Sequence, residues 1–280
     1  MSWRSRARGF LELTRPGNAV AAGVLTFTGA FVAGASVADA GAVAAAVLAT
    51  MFATGAGNAV NDYFDREIDA VNRPDRPIPR GAVSAREALW FSGVLFAGAV
   101  AATVVLPVTA IAIAVFNLLL LLAYTKLFKG LPGVGNLVVG FLTGSTFLFG
   151  GAAVGAPLGA WVLFVLAGIA TLTREIVKDV EDVAGDREEG LNTLPIAIGE
   201  RRALWVGTVA MVVAVVASAV PYLNGTFGAV YLVFVVPADA VMLRATARAF
   251  SAPAPAQKHL KAGMLVAVVG FIAGRVVVLL

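Results

Sequence analysis

The feature that most constrains this chain is a succession of long apolar runs separated only by short polar or Gly/Pro breaks. A helix of about 20 predominantly apolar residues crosses a bilayer core, and a backbone inside lipid must satisfy its own amides. The runs are continuous rather than alternating, which argues against a membrane β-barrel, whose strands turn every second residue to lipid. They give nine expected spans: 16–36, 41–63, 86–106, 108–126, 134–153, 158–178, 203–221, 226–243 and 262–280. The breaks fall at Asp39–Gly41, Pro107, Gly130–Gly133, Gly155–Pro157 and Tyr222–Gly225. Apolar residues make up 59% of the chain and charged residues 14%, against about 45–50% and about 25% in a soluble domain. The expected fold is all-α: a polytopic membrane protein whose nine transmembrane helices bundle around a central cavity open to the cytoplasmic side and to lipid. One domain is expected over residues 1–280.

The basic residues test this count. With the N-terminus placed in the cytoplasm and nine alternating spans, all but Arg275 of the 21 Lys and Arg residues fall on the cytoplasmic side, as the positive-inside rule requires. An even number of spans would break that parity. The C-terminus is therefore expected outside, in the cell membrane. The basic N-terminal residues Met1–Arg8 precede a long apolar run with no cleavage pattern, so no removable signal peptide is expected. The net charge of +4 is read as topology and phosphate chemistry rather than nucleic-acid binding, because the charges fall in a few loops. Nothing implies a protein partner. The absence of cysteine excludes disulfides and thiolate metal sites, and the single histidine, His259, argues against a histidine-based zinc centre.

The acids concentrate in two segments, 64–85 and 179–202, expected to form a cytoplasmic cap. Asn58, Asp62, Asp65 and Asp69 step by four, three and four residues, and Glu175, Asp179, Asp182 and Asp186 repeat that pattern. At 3.6 residues per turn each set falls on one helical stripe. Like charges stacked this way repel, so a counter-charge is expected. Oxygen-rich sites suit Mg²⁺, which binds through carboxylates together with substrate phosphates. Two facing stripes would hold a diphosphate through bridging metals. A solvated acidic helix end is the plainer reading, but acids at a membrane interface point first to function.

Cations surround these acids. Arg73, Arg76 and Arg80 sit in a proline-stiffened segment directly after the first cluster, and arginine binds phosphate oxygens in a bidentate fork. Lys126 and Lys129 beside Tyr124, and Arg174 with Lys178, are further phosphate candidates. Arg15 and Asn18, at the mouth of the first span, serve equally well as headgroup anchors. Asp239, inside the eighth span, is expected to be structural, paired with Arg244 or Arg275. Asn117 and Asn136 are read as possible packing polar groups between helices.

These motifs resemble those of the UbiA superfamily of intramembrane prenyltransferases over nearly the full chain. Asn61-Asp62-x-x-Asp65-x-x-x-Asp69 is similar to that family's first aspartate-rich motif, and Asp182-x-x-x-Asp186, preceded by Asp179, to its second. Within the superfamily, the strings 61–83 and 174–186 are most similar to the archaeal ether-lipid branch. The resemblance implies six metal-holding aspartates (Asp62, Asp65, Asp69, Asp179, Asp182, Asp186) and two Mg²⁺ ions bound with the diphosphate. It further implies substrate contacts from Asn18, Asn58, Asn61, Arg73, Arg76, Arg80, Tyr124, Lys126, Lys129, Arg174 and Lys178. The implied donor is a prenyl diphosphate, geranylgeranyl diphosphate. The implied acceptor is lipid-like and phosphorylated: the free hydroxyl of geranylgeranylglyceryl phosphate. The family often shows Tyr-x-x-x-Lys after the fourth span; here Tyr124 is followed by lysines at 126 and 129, and which one takes that role stays open. An aromatic acceptor is the main alternative. A CDP-alcohol phosphotransferase is disfavoured by the missing Asp-Gly-x-x-Ala-Arg opening. A transporter is disfavoured because both stripes lie at the membrane surface rather than its midplane.

Overall fold

The structure, a computed structural model, describes residues 3–279 apart from the side chains of Ile68, Asn72, Thr125 and Lys126. Every regular element among the described residues is helical. In chain order these are α1 (Trp3–Leu13), α2 (Pro16–Val32), α3 (Ala40–Phe64), α4 (Arg66–Asn72), α5 (Ala85–Thr103), α6 (Val108–Ala123), α7 (Val134–Ala153) and α8 (Trp161–Glu188). They continue as α9 (Leu194–Ile198), α10 (Glu200–Ala217), α11 (Val220–Leu223), α12 (Val230–Arg248) and α13 (Pro253–Leu279). Local sequence sets the boundaries. Ser84 caps α5 in a reciprocal box with Glu87, and Pro16 and Pro253 stand at first-turn positions of α2 and α13. Gly155, with φ of 75°, and Gly190, with φ of 71°, follow the ends of α7 and α8 in the left-handed conformation that glycine adopts freely.

Seven segments are long and apolar enough to cross a membrane, and they contain α3, α5, α7, α8, α10, α12 and α13. The chain is thus a multi-pass membrane protein. Two shorter apolar helices, α2 with 17 residues and α6 with 16, stand where the other two spans are expected. A span of about 17 residues is at the short end of what crosses a bilayer, so the crossing count of nine rests on α2 and α6.

Helix α7 is the hub, packed against α2, α3, α6 and α8. Its glycines make this possible. A Cβ on Gly150 would stand 1.9 Å from the Thr26 carbonyl oxygen, and one on Gly29 of α2 would stand 2.1 Å from that of Phe147. On the other face, a Cβ on Gly144 would meet the Phe164 carbonyl at 2.4 Å, and one on Gly140 that of Gly168 at 2.7 Å. Lipid supplies no hydrophobic drive between helices, so such close backbone approach is what holds membrane helices together. Ser145 of α7 also donates to Asn117 of α6 at 2.9 Å, which makes Asn117 packing glue. Helix α8 packs in turn on α10 and α13, and α13 on α12 and back on α2. Helices α2, α7, α8 and α13 therefore close a ring.

Candidate active site

Both acidic motifs come to one end of this ring. The end of α3 meets the start of α2: Arg15 donates to Asp62 at 2.7 Å, and Asn58 to the Thr14 carbonyl at 3.0 Å. The end of α8 meets the starts of α7 and α13: Asn136 donates to Asp179 at 2.7 Å, and Gln257 to Glu181 at 2.8 Å. Two further pieces brace this end. Helix α1 lies against the segment after the first motif, with Leu13, Ala59, Val83 and Ala88 forming a small core. Arg80 binds Glu12 and the Asp75 carbonyl, which ties α1 to that segment. Partial burial pushes the Glu12 carboxyl up, and its bonds to Arg80 and Arg8 more than offset this, holding it below the ordinary range.

The first motif does not form one continuous stripe. The chain leaves α3 at Phe64 and enters α4 at Arg66, with Asp65 at the junction. The i→i−4 bonds of Asp65 and Asp69 persist at 2.8 Å, so the break is a bend rather than an unwinding. Its effect is to divide the acids. Asp62 and Asp69 are 4% and 6% exposed, while Asn61 and Asp65 face outward. Arg76 reaches into the gap, donating to Asp62 at 3.3 Å and to Asp69. The counter-charge expected for the first stripe is therefore supplied partly by the protein. Two buried carboxylates share Arg76, and Arg15 holds Asp62 from the other side. Arg73 lies exposed beyond α4.

The second motif is continuous, because α8 runs unbroken to Glu188. Asp182 is exposed, and Asp179 and Asp186 are partly buried. Asn136, read as possible packing glue, does link α7 to α8, and it does so through the Asp179 carboxylate. Arg174 and Lys178 both pair with Glu175, at 2.9 and 3.9 Å. Tyr124 stands close enough to Glu175, Asp179 and Asp186 to feel all three charges.

The segment 124–128 is a π-helical turn, in which the Lys129 amide bonds the Tyr124 carbonyl five residues back at 2.9 Å. A π turn inserts one residue into a helix. Lys129 thereby occupies the position one turn after Tyr124 that a residue four along would hold in an α-helix. Lys129 is exposed and pairs with Glu189 at 3.4 Å. The Lys126 side chain lies outside the described residues.

No three acidic side chains among the described residues converge tightly enough to hold a metal ion by themselves. The donor chemistry nonetheless fits Mg²⁺, which takes oxygen ligands and is usually completed by substrate phosphates rather than by an all-protein cage. Asp65 and Asp182 are exposed, with no ion pair among the described residues.

Beside the motifs, a cavity of about 460 Å³ runs into the ring between α2, α7, α8, α10, α12 and α13. Asn18, Arg174 and Lys261 line it, and the rest of its wall is mostly apolar. None of the six motif aspartates lines it. Within it Asp239 accepts from Ser218 at 2.7 Å, and among the described residues it has no ion pair to Arg244 or Arg275.

A helical membrane bundle with two aspartate motifs at one end defines an intramembrane prenyltransferase, and the chain belongs to the UbiA prenyltransferase family, whose match covers residues 22–272. It is 63% identical to the digeranylgeranylglyceryl phosphate synthase of Natronomonas pharaonis, over 98% of this chain and 99% of that one. It is 60% identical to the synthase of the same name from Haloquadratum walsbyi, over 98% and 97%. Among solved structures it is similar to a digeranylgeranylglyceryl phosphate synthase at 33% identity, with a TM-score of 0.79 over 97% of this chain and 99% of that one. A UbiA homologue from Archaeoglobus fulgidus bound to DMAPP and Mg²⁺ shares the fold at 18% identity, with a TM-score of 0.69 over 97% and 99%.

Proposed function

We propose that this enzyme transfers a geranylgeranyl group from geranylgeranyl diphosphate to the free hydroxyl of geranylgeranylglyceryl phosphate, forming the second ether bond of an archaeal lipid. The observation that carries the choice of substrates is the 63% identity, over almost the whole of both chains, to a relative named for that product. The donor's C1–O bond breaks with its electron pair leaving on diphosphate, the acceptor oxygen bonds C1, and the hydroxyl gives up its proton.

In this reading Asp65 and Asp69 form one wall and Asp179, Asp182 and Asp186 the other, with Asp62 anchoring the first through Arg15 and Arg76. Two Mg²⁺ ions held between the walls would neutralise the leaving diphosphate. The protein's part is positional. Asn136 orients Asp179, Arg76 sets the spacing of Asp62 and Asp69, and the π turn brings Lys129 beside Tyr124 as a further cation for the diphosphate. Asn58, Asn61, Arg73 and Lys178 complete the polar rim, and the surrounding apolar helices keep water from the allylic carbon. The cap, residues 64–85 and 179–202 of a single domain, faces the cytoplasm with the N-terminus. The chain then crosses nine times, leaving its end outside.

The test is product analysis by mass spectrometry with labelled geranylgeranyl diphosphate and a panel of acceptors. The doubly alkylated glyceryl phosphate should be the main product. Preferred prenylation of an aromatic acceptor would replace this reading with the quinone, haem or chlorophyll type.

A further inference from the structure

The cavity between α2, α7, α8 and α13 ends in cations at the motif end, and the carboxylate that lines it, Asp239 on α12, is bonded to Ser218; its chemistry is distinct from that of the aspartate motifs. On α8 the cavity-facing stripe runs Leu166, Ala170, Thr171 and stops at Arg174. On α13 it runs Phe271, Val268, Met264 and stops at Lys261. On α2 it runs Leu25, Ala22 and stops at Asn18. These spacings of three and four residues mark one helical face each, and all three faces change from apolar to polar at the motif end. Arg174 spends one guanidinium nitrogen on Glu175 and keeps a buried Nε with no hydrogen-bond partner. Lys261 is exposed and has no ion pair among the described residues.

We infer that this cavity holds the acceptor, with its prenyl tail among the apolar faces and its phosphate between Arg174 and Lys261. The inference rests on the proposed reaction. Two features favour acceptor over donor, and the size admits one ligand. A diphosphate carries more charge than two side chains neutralise and needs the metal-binding carboxylates, none of which lines the cavity. A phosphate monoester is matched by an arginine fork and an ammonium. The volume of about 460 Å³ is in the range of a pocket for one ligand, about 300–1,000 Å³. Arg174 is five residues from Asp179 on the same helix, about 7–8 Å along its axis. Arg80 and Lys129, the more obvious candidates in the sequence, do not line the cavity.

Lys261→Gln tests this, since an exposed side chain can be changed without disturbing the fold. Steady-state rates are measured for wild type and variant with each substrate varied in turn, and with geranylgeranylglycerol in place of its phosphate. The KM for the phosphorylated acceptor should rise about tenfold or more, as for loss of a hydrogen bond to a charged group. The donor KM and the rate with the unphosphorylated alcohol should stay within about twofold, a loss of uniform binding confined to one substrate. A raised donor KM with an unchanged acceptor KM would assign the cavity to the donor and overturn the inference, as would unchanged values for both. A wild-type enzyme that prenylates no glyceryl phosphate is a separate result, which removes the reaction itself.

Discussion

Asp62 and Asp65 stand three residues apart in one motif, yet the structure gives them different tasks. Asp62 is buried and held by two arginines, whereas Asp65 is exposed at the bend between α3 and α4 with no ion pair among the described residues. Removing one member of a buried ion pair leaves the other uncompensated and costs about 3–5 kcal/mol. Arg76 and Arg15 remain partly in contact with water, so the lower end applies. Asp62→Asn should therefore destabilise the protein by about 3 kcal/mol, seen as a lower melting temperature in detergent. Asp65→Ala and Asp182→Ala should melt like wild type and lose turnover by about a hundredfold or more, as when one electrostatic stabiliser of a transition state is removed. A wild-type melting temperature for Asp62→Asn would contradict its anchoring role, and near-normal turnover of either exposed variant would remove that residue from the walls. The 4-3-4 spacing was readable in the sequence, and so were the residue types. Which acids are free and which are held depends on Arg15, Arg76 and Asn136, which arrive from other helices or from a later turn, and no local pattern marks them as partners.

At the scale of elements, the apolar runs located the helices well because lipid imposes length and continuity together. What they could not convey is how closely the helices approach. Gly93 of α5 and Gly150 of α7 look alike in sequence, but a Cβ on Gly93 meets nothing within 4 Å, while one on Gly150 meets the Thr26 carbonyl at 1.9 Å. Gly93→Ala should leave stability unchanged or raise it by up to about 1 kcal/mol through helix propensity. Gly150→Ala should force α2 and α7 apart and lower the melting temperature sharply. Equal melting of the two variants would show that the α2–α7 crossing is looser than the structure has it. The π turn after α6 was likewise hidden. An inserted residue leaves no mark in the local sequence, and only the backbone bond from Lys129 to Tyr124 reveals the register.

At the scale of the whole molecule, the ring of α2, α7, α8 and α13 brings two compartments to one end: acidic walls on the ends of α3 and α8, and a cation-rimmed apolar cavity beside them. Charge parity along the chain gives the expectation that both acidic segments lie on one membrane face, because loop cations are sorted by side. A central cavity was expected, but its lining had no signature in the sequence, since it is assembled from separate helices whose apolar faces each look like ordinary lipid-facing surface. Single cysteines introduced into this cysteine-free chain report the topology. Cysteines in 64–85 and 179–202 should be shielded from an impermeant reagent in intact cells, while one after residue 279 should react. A shielded C-terminal cysteine would refute the count of nine crossings. The central claim is that carboxylates on two helix ends work on a diphosphate through divalent metal, and the most direct measurement of it is turnover of labelled geranylgeranyl diphosphate after exhaustive chelation. Turnover should vanish with the chelator and return on adding Mg²⁺; full turnover in the chelated enzyme would contradict the account.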